Sequence, residues 1–167
     1  DQNRSAVVAV GYQNNLDVDL AQGISFNAGN NFDVGLVRLD AEGTVLWAHE
    51  YGGPGSEEIR GLGLDAAGHI YATGVFSETV SFGGPELVGT AGHDIVLAGY
   101  TGEGAHLWSW GYTGESFDQA LDLEVSGDGL YVAGRFKEDL TLSGTTYTAA
   151  AGDYDLLVAR FSTTDGH

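Results

Sequence analysis

The chain contains no cysteine and no methionine, only 2 prolines, and 6 basic residues against 24 acidic ones among 167. Each shortage excludes something. Without cysteine there is neither a disulfide nor a thiolate metal site, and thiol usage carries no information on redox compartment. The formal charge of −18 repels nucleic acid and anionic membrane surfaces, so neither is expected as a partner. It admits cations, basic proteins or plain solubility, and a solvated acidic coat accounts for it. No run of about 18 apolar residues exists, so no helical membrane span is expected. Capping boxes leading into a 3.6-residue apolar period are missing, and helices are therefore not expected. There is no G-x-S-x-G elbow and no glycine cluster leading into a helix, which removes a hydrolase nucleophile turn and a phosphate loop. The opening Asp1 and the lack of a signal-peptide pattern are those of a processed form or of an excerpt.

What is abundant is glycine, 27 residues, and apolar side chains, 43% of the chain. That suffices for one folded domain burying roughly 70% of its unfolded surface. The glycines fall in a pattern. "DAEGTVLWAHEYGG" from Asp40 is echoed by "TGEGAHLWSWGYTG" from Thr101, with Trp47 and Trp108 61 residues apart. "AVVAVGYQ", "HIYATGVF" and "GLYVAGRF" align on Gly11, Gly74 and Gly134, each followed 17 residues on by Ala28, Ala91 or Ala151. "DVGLVRL", "DIVLAGY" and "DLLVARF" open on Asp33, Asp94 and Asp155, at intervals of 61. Polar tetrads closed by Gly43, Gly68, Gly104, Gly129 and Gly166 suit hairpin loops with a left-handed residue.

Two hairpins per unit make four strands, denoted a to d. Strand a is "IRGLGLD" and "ALDLEVS"; b, c and d are the glycine, aspartate and tryptophan strings. Strands b and c are nearly continuous apolar runs, so both their faces should be covered. Gly61 and Gly63 make strand a small, as crowding toward an axis requires. Four antiparallel strands recurring at about 60 residues predict an all-β fold of β-propeller blades. A two-sheet sandwich is the rival, but it gives no reason for the echo. Unit boundaries fall at residues 5–58, 59–119 and 120–167 of a single segment, 1–167.

"GLGLDAAGHIYATGVFSETVSFGG" and "AGHDIVLAGYTGEGAHLW" resemble the bacterial β-propeller repeats of SBBP type, and "LDAAGHIYATG" is similar to an NHL-type blade. The resemblance spans residues 5–166 and rests on turn and core positions. It implies a binding or scaffold module in an exported, extracellular or cell-surface protein rather than an enzyme. The first unit departs from it, with "NNLDVDLAQGISFN" in place of the glycine-rich connector.

Strand order then reads b-c-d, a-b-c-d, a-b-c, with residues 2–5 in an a–b turn and the end of the chain in a c–d turn. Three such blades do not ordinarily close a ring. Unpaired terminal strands are expected to be completed by other copies of the chain or by further blades of a longer one.

The b–c connectors share one side of the molecule with Asp33, Asp94, Asp155, Glu57 and Asp118, a surface suited to a protein or glycan ligand. Those carboxylates read either as calcium or basic-partner ligands or as acceptors fixing the sheet corners, and the second reading explains their recurrence better. No complete calcium loop is present; no cofactor is expected, with calcium the alternative. Asp17 and Asp19 alternate with Leu16, Val18 and Leu20 and read as the wet side of a strand. His49, His69, His93, His106 and His167 show no ligand spacing, and His69 and His106 are expected to face solvent. Asp122 and Glu124 keep open a glycan-active hydrolase or lyase. Trp110, which replaces His49, is the aromatic expected to be exposed for a glycan or protein contact.

Overall fold

A computed structural model of the chain describes residues 5–90, 92–150 and 152–167. Ala91, Ala151 and residues 2–4 of the expected a–b turn lie outside the described residues. No helix occurs among the rest; the fold is all-β, built from 16 strands in small antiparallel sheets.

The chain opens with β1 (Ala6–Tyr12), passes through a small hairpin of β2 (Asn15–Asp19) and β3 (Ile24–Asn27), and continues as β4 (Asp33–Leu39) and β5 (Val45–Tyr51). Next come β6 (Glu58–Leu64), β7 (Ile70–Phe76), the short hairpin β8 (Thr79–Val80) and β9 (Leu87–Val88), then β10 (Asp94–Tyr100) and β11 (His106–Tyr112). The last stretch holds β12 (Gln119–Ser126), β13 (Gly129–Lys137), the hairpin β14 (Asp139–Leu142) and β15 (Thr145–Thr148), and β16 (Tyr154–Ser162). Three principal sheets result, ordered β1-β4-β5, β6-β7-β10-β11 and β12-β13-β16. In the lettering used above these are b-c-d, a-b-c-d and a-b-c. The connectors, read from sequence as variable loops apart from a strand at residues 16–20, each carry a two-stranded hairpin of their own.

Turn chemistry follows the glycines, with one difference. In the β4–β5 loop the Gly43 N–H donates to the Asp40 carbonyl at 3.2 Å, and Gly43 holds φ +86°. In the β12–β13 turn Ser126 pairs with Gly129, so the loop has two residues, and Gly127, not Gly129, takes the positive φ of 60°.

Apolar side chains fill the spaces between successive sheets. Leu36 and Tyr51 of the first sheet meet Ile70, Ala72, Val96 and Tyr100 of the second. Tyr71, Leu97 and Trp108 of the second meet Leu130, Val132 and Phe161 of the third. Each such aromatic contributes about 2–3 kcal/mol by leaving water. The expectation of two covered faces is met by β7 and β10, whose residues are buried throughout. In the first sheet β4 is buried over its first five residues, but the expectation fails in the third: burial alternates along β13 and β16, and Leu156 and Val158 are 78% and 69% exposed. Those strands have a sheet against one face only.

Trp47 and Trp108 occupy matching surroundings. Trp47 Nε1 donates to the Gly102 carbonyl at 3.0 Å, and Trp108 Nε1 to that of Thr163 at 3.2 Å, in each case 55 residues on. Each indole thereby ties the last strand of one sheet to the β-turn of the next. The inner strands crowd as their small residues require: a Cβ on Gly61 would come within 2.7 Å of the Leu123 nitrogen.

Candidate functional site

The chain's buried charge gathers at the sheet corners beside the connectors. Asp33 opens β4 and is 8% exposed, Asp94 opens β10 and is fully buried, and Glu57 and Asp118 stand just before β6 and β12 at 1% and 0%. The backbone sets these positions by the same bond in both places. Glu57 N–H donates to the Phe32 carbonyl and Asp118 N–H to that of His93, both at 2.8 Å. Each links the start of one sheet to the residue before strand c, β4 or β10, of the sheet preceding it.

Asp94 is saturated by its own corner. Its carboxylate accepts from the Thr90 N–H at 2.6 Å, the Thr90 hydroxyl at 2.9 Å and the Gly114 N–H at 3.2 Å. Asp155, only partly buried, accepts from the Ala150 N–H at 3.1 Å. Asp118 Oδ1 accepts from the Lys137 N–H at 3.2 Å, and Glu57 Oε2 from the Gly53 N–H at 3.1 Å. The other oxygen of each, Asp118 Oδ2 and Glu57 Oε1, is buried without a partner among the described residues. Burial above all, then the neighbouring charge of Asp33, lifts the Glu57 carboxyl to about 7 against the Gly53 hydrogen bond; Glu78 adds to the rise. Burial likewise lifts Asp118 to about 6, opposed by its bond from Lys137 and aided by Asp94 and Glu138. Asp33 is raised by burial and by Glu50. These corners therefore differ: Asp94 has both oxygens hydrogen-bonded, whereas Glu57 and Asp118 each have a bare oxygen and are inclined to keep a proton.

A cleft of about 520 Å³ opens beside Glu57, bounded by Gly11, Phe32, Ile59 and His93. The His93 ring rests 5.3 Å from that of Phe117, and its buried Nδ1 has no partner among the described residues. No group of three or more metal-binding side chains converges among the described residues.

The other predicted positions disperse. Trp110 is 39% exposed, but its indole N–H donates to the Asp165 carbonyl at 2.6 Å and its ring lies 4.1 Å from that of His167. Asp122 and Glu124 are exposed on β12, away from the corner carboxylates. Asp17 is exposed on β2 as expected, whereas Asp19 accepts from the Ala21 and Gln22 N–H groups and closes the hairpin turn. His69 and His106 are half-buried rather than facing solvent. Asp65 lies 2.8 Å from the His69 ring, and the His106 ring fits over Gly84, whose missing side chain leaves the room.

Sequence reasoning missed the partners that hold these acids. Gly114 and Lys137 act through backbone N–H groups, which leave no trace in residue type, and Thr90 adds its hydroxyl to its own N–H. Gly11 could have been found, because a glycine recurs in that column of all three b strands. No protein-family model matches the chain, and no curated protein is similar to it.

Proposed function

We propose that the chain is a run of β-propeller blades acting as a non-catalytic binding or structural module, completed at its terminal sheets by other copies or by further blades. The observation that carries this reading is the sheet order with its matching links. Trp47 and Trp108 make the same bond 55 residues on, and the same backbone bond joins Glu57 and Asp118 to the preceding sheet. Units that contact only their neighbours, with equivalent contacts, add end to end. The outer edges of β1 and β16 are unpaired among the described residues, and such edges recruit strands. Val8, at 43% exposure, with Leu156 and Val158, supplies apolar surface to be covered.

On this reading Asp33, Asp94, Asp155, Glu57 and Asp118 serve the corners, and the connectors beside them carry a protein or glycan ligand. An extracellular or cell-surface setting rests on the repeat resemblance alone. Light scattering over a range of concentrations tests the assembly: masses above 17.5 kDa that grow with concentration support it. A lone, cooperatively melting species of that mass at every concentration removes completion by copies, and no gain in stability on adding a flanking blade removes completion by blades.

A further inference from the structure

Gly11 poses a question that its own sheet does not answer. It lies outside the positive-φ glycines, so conformation does not demand it. A Cβ there would meet nothing within 4 Å, so space does not demand it either. Its counterparts differ. A Cβ on Gly74 would collide with the Glu58 carbonyl oxygen, and one on Gly134 with that of Gln119. Both collisions arise from one geometry. β6 and β12 bulge beside their partner strands, with the shifts falling between Ile59 and Gly61 opposite Gly74 and between Ala120 and Asp122 opposite Gly134. The bulge pushes the strand's carbonyl onto the facing residue, which must lack a side chain.

The space beside β1 has the matching shape. A hollow of about 320 Å³ runs between Val7, Val8 and Ala9 of β1 and Ile59, Arg60 and Leu62 of β6. The larger cleft continues it past Gly11 toward Glu57 and His93. Adjacent strands lie about 4.8 Å apart, so a strand added to β1 would fill this trough. Its far face would pack on β6 as β12 packs on the other side, where Gly63 admits Val125.

We propose that the free edge of β1 is a docking site for a bulged β-strand of the β6 type, seated in the register of β6 on β7, with Gly11 admitting the bulge carbonyl. This rests on the reading of the chain as a strand-completed module. In that register a residue equivalent to Ile59 faces Gly11, the next is extruded, and those equivalent to Gly61, Leu62, Gly63 and Leu64 face Val10, Ala9, Val8 and Val7. Main-chain hydrogen bonds hold the strand, and the bulge specifies its position.

The test uses the whole chain and a synthetic peptide with the sequence of residues 57–65, followed by amide exchange and fluorescence anisotropy. Saturable binding with new protection confined to the β1 amides supports the proposal, together with binding at least about tenfold weaker to Gly11→Ala. The variant should fold like the parent because a Cβ on Gly11 meets nothing within 4 Å. Equal binding to Gly11→Ala overturns it, as does protection appearing on β16. Absence of binding overturns it too, and leaves the module reading standing if the chain still assembles. If the β1 amides are already protected and the mass is a multiple of 17.5 kDa, a second copy holds the edge and the proposal falls.

Discussion

Replacing Glu57 by glutamine removes a carboxyl ionisation that burial disfavours. In the native state this carboxyl rises from 4.5 to about 7, chiefly because it is buried and then because Asp33 stands near. The native state therefore keeps a proton that the unfolded chain has released. Glu57 favours folding below about pH 4.5, and that advantage is lost as pH climbs to about 7. At about 1.36 kcal/mol per pH unit the ceiling is ~3 kcal/mol. The cleft beside Glu57 admits solvent, so screening reduces the expected figure to about 1–2 kcal/mol. Glutamine does not titrate. It retains an acceptor for the Gly53 N–H, while its amide N–H2 replaces an oxygen that has no partner. Any penalty from that amide is the same at every pH. Asp118 acts alike in both proteins and cancels from the difference. The stability of Glu57→Gln relative to the parent should thus grow by about 1–2 kcal/mol between pH 4.5 and 8, a Tm difference of roughly 3–6 °C for a chain of this size. Urea unfolding at pH 4.5, 6 and 8 reads it directly. Parallel stability profiles would refute a buried, proton-holding Glu57.

Gly74→Ala and Gly134→Ala should each destabilise by about 1–3 kcal/mol, because the added carbon meets a bulge carbonyl. Gly11→Ala in the isolated chain should change stability by less than about 0.5 kcal/mol; denaturant midpoints of the three variants decide whether the bulge explains the glycine column. Trp47→Phe and Trp108→Phe should cost similar amounts, each losing one indole bond of about 1 kcal/mol besides packing. A disparity of several kcal/mol in thermal unfolding would show that the two positions are not equivalent. Asp94→Ala should cost about 3 kcal/mol, since it leaves the Thr90 and Gly114 donors without their acceptor. Calcium should neither rescue that variant nor shift the melting of the parent relative to chelator, because Asp94 already has three donors; a rise in Tm with calcium would make the corners cation sites.

The sheet order was legible because it is written in turns and spacing: five glycine-closed tetrads and three apolar strings define strands that need no tertiary information to find. Of the connector hairpins only β2 was, through the alternation at residues 16–20. β8 and β9 have two residues each, too short for period-two alternation to register. The corner acids were legible as a recurring set but not as chemistry. Asp94 and Asp118 are the same residue type at the same kind of corner, yet one is saturated by Thr90 and Gly114 and the other has a bare oxygen. Only the donors that the fold brings around them separate a carboxyl with both oxygens bonded from one with an oxygen left bare. Residue type alone carries no such distinction.

The most informative mismatch concerns β10 and β16. Their sequences, "DIVLAGY" and "DLLVARF", are apolar at nearly every position and gave the same expectation of two covered faces. β10 meets it, lying between sheets; β16 does not, and Leu156 and Val158 stand 78% and 69% exposed on its outer face. A strand with one wet face normally alternates apolar and polar residues. β16 lacks that alternation while having the wet face, and Gly11 lacks a side chain while having the room for one. Both carry the residues of a covered position in an uncovered place. Periodicity thus reports how many faces a strand is suited to bury, and the structure reports how many are buried here. Where the two differ, at β1 and β16, lies the apolar surface that the proposed completion would cover.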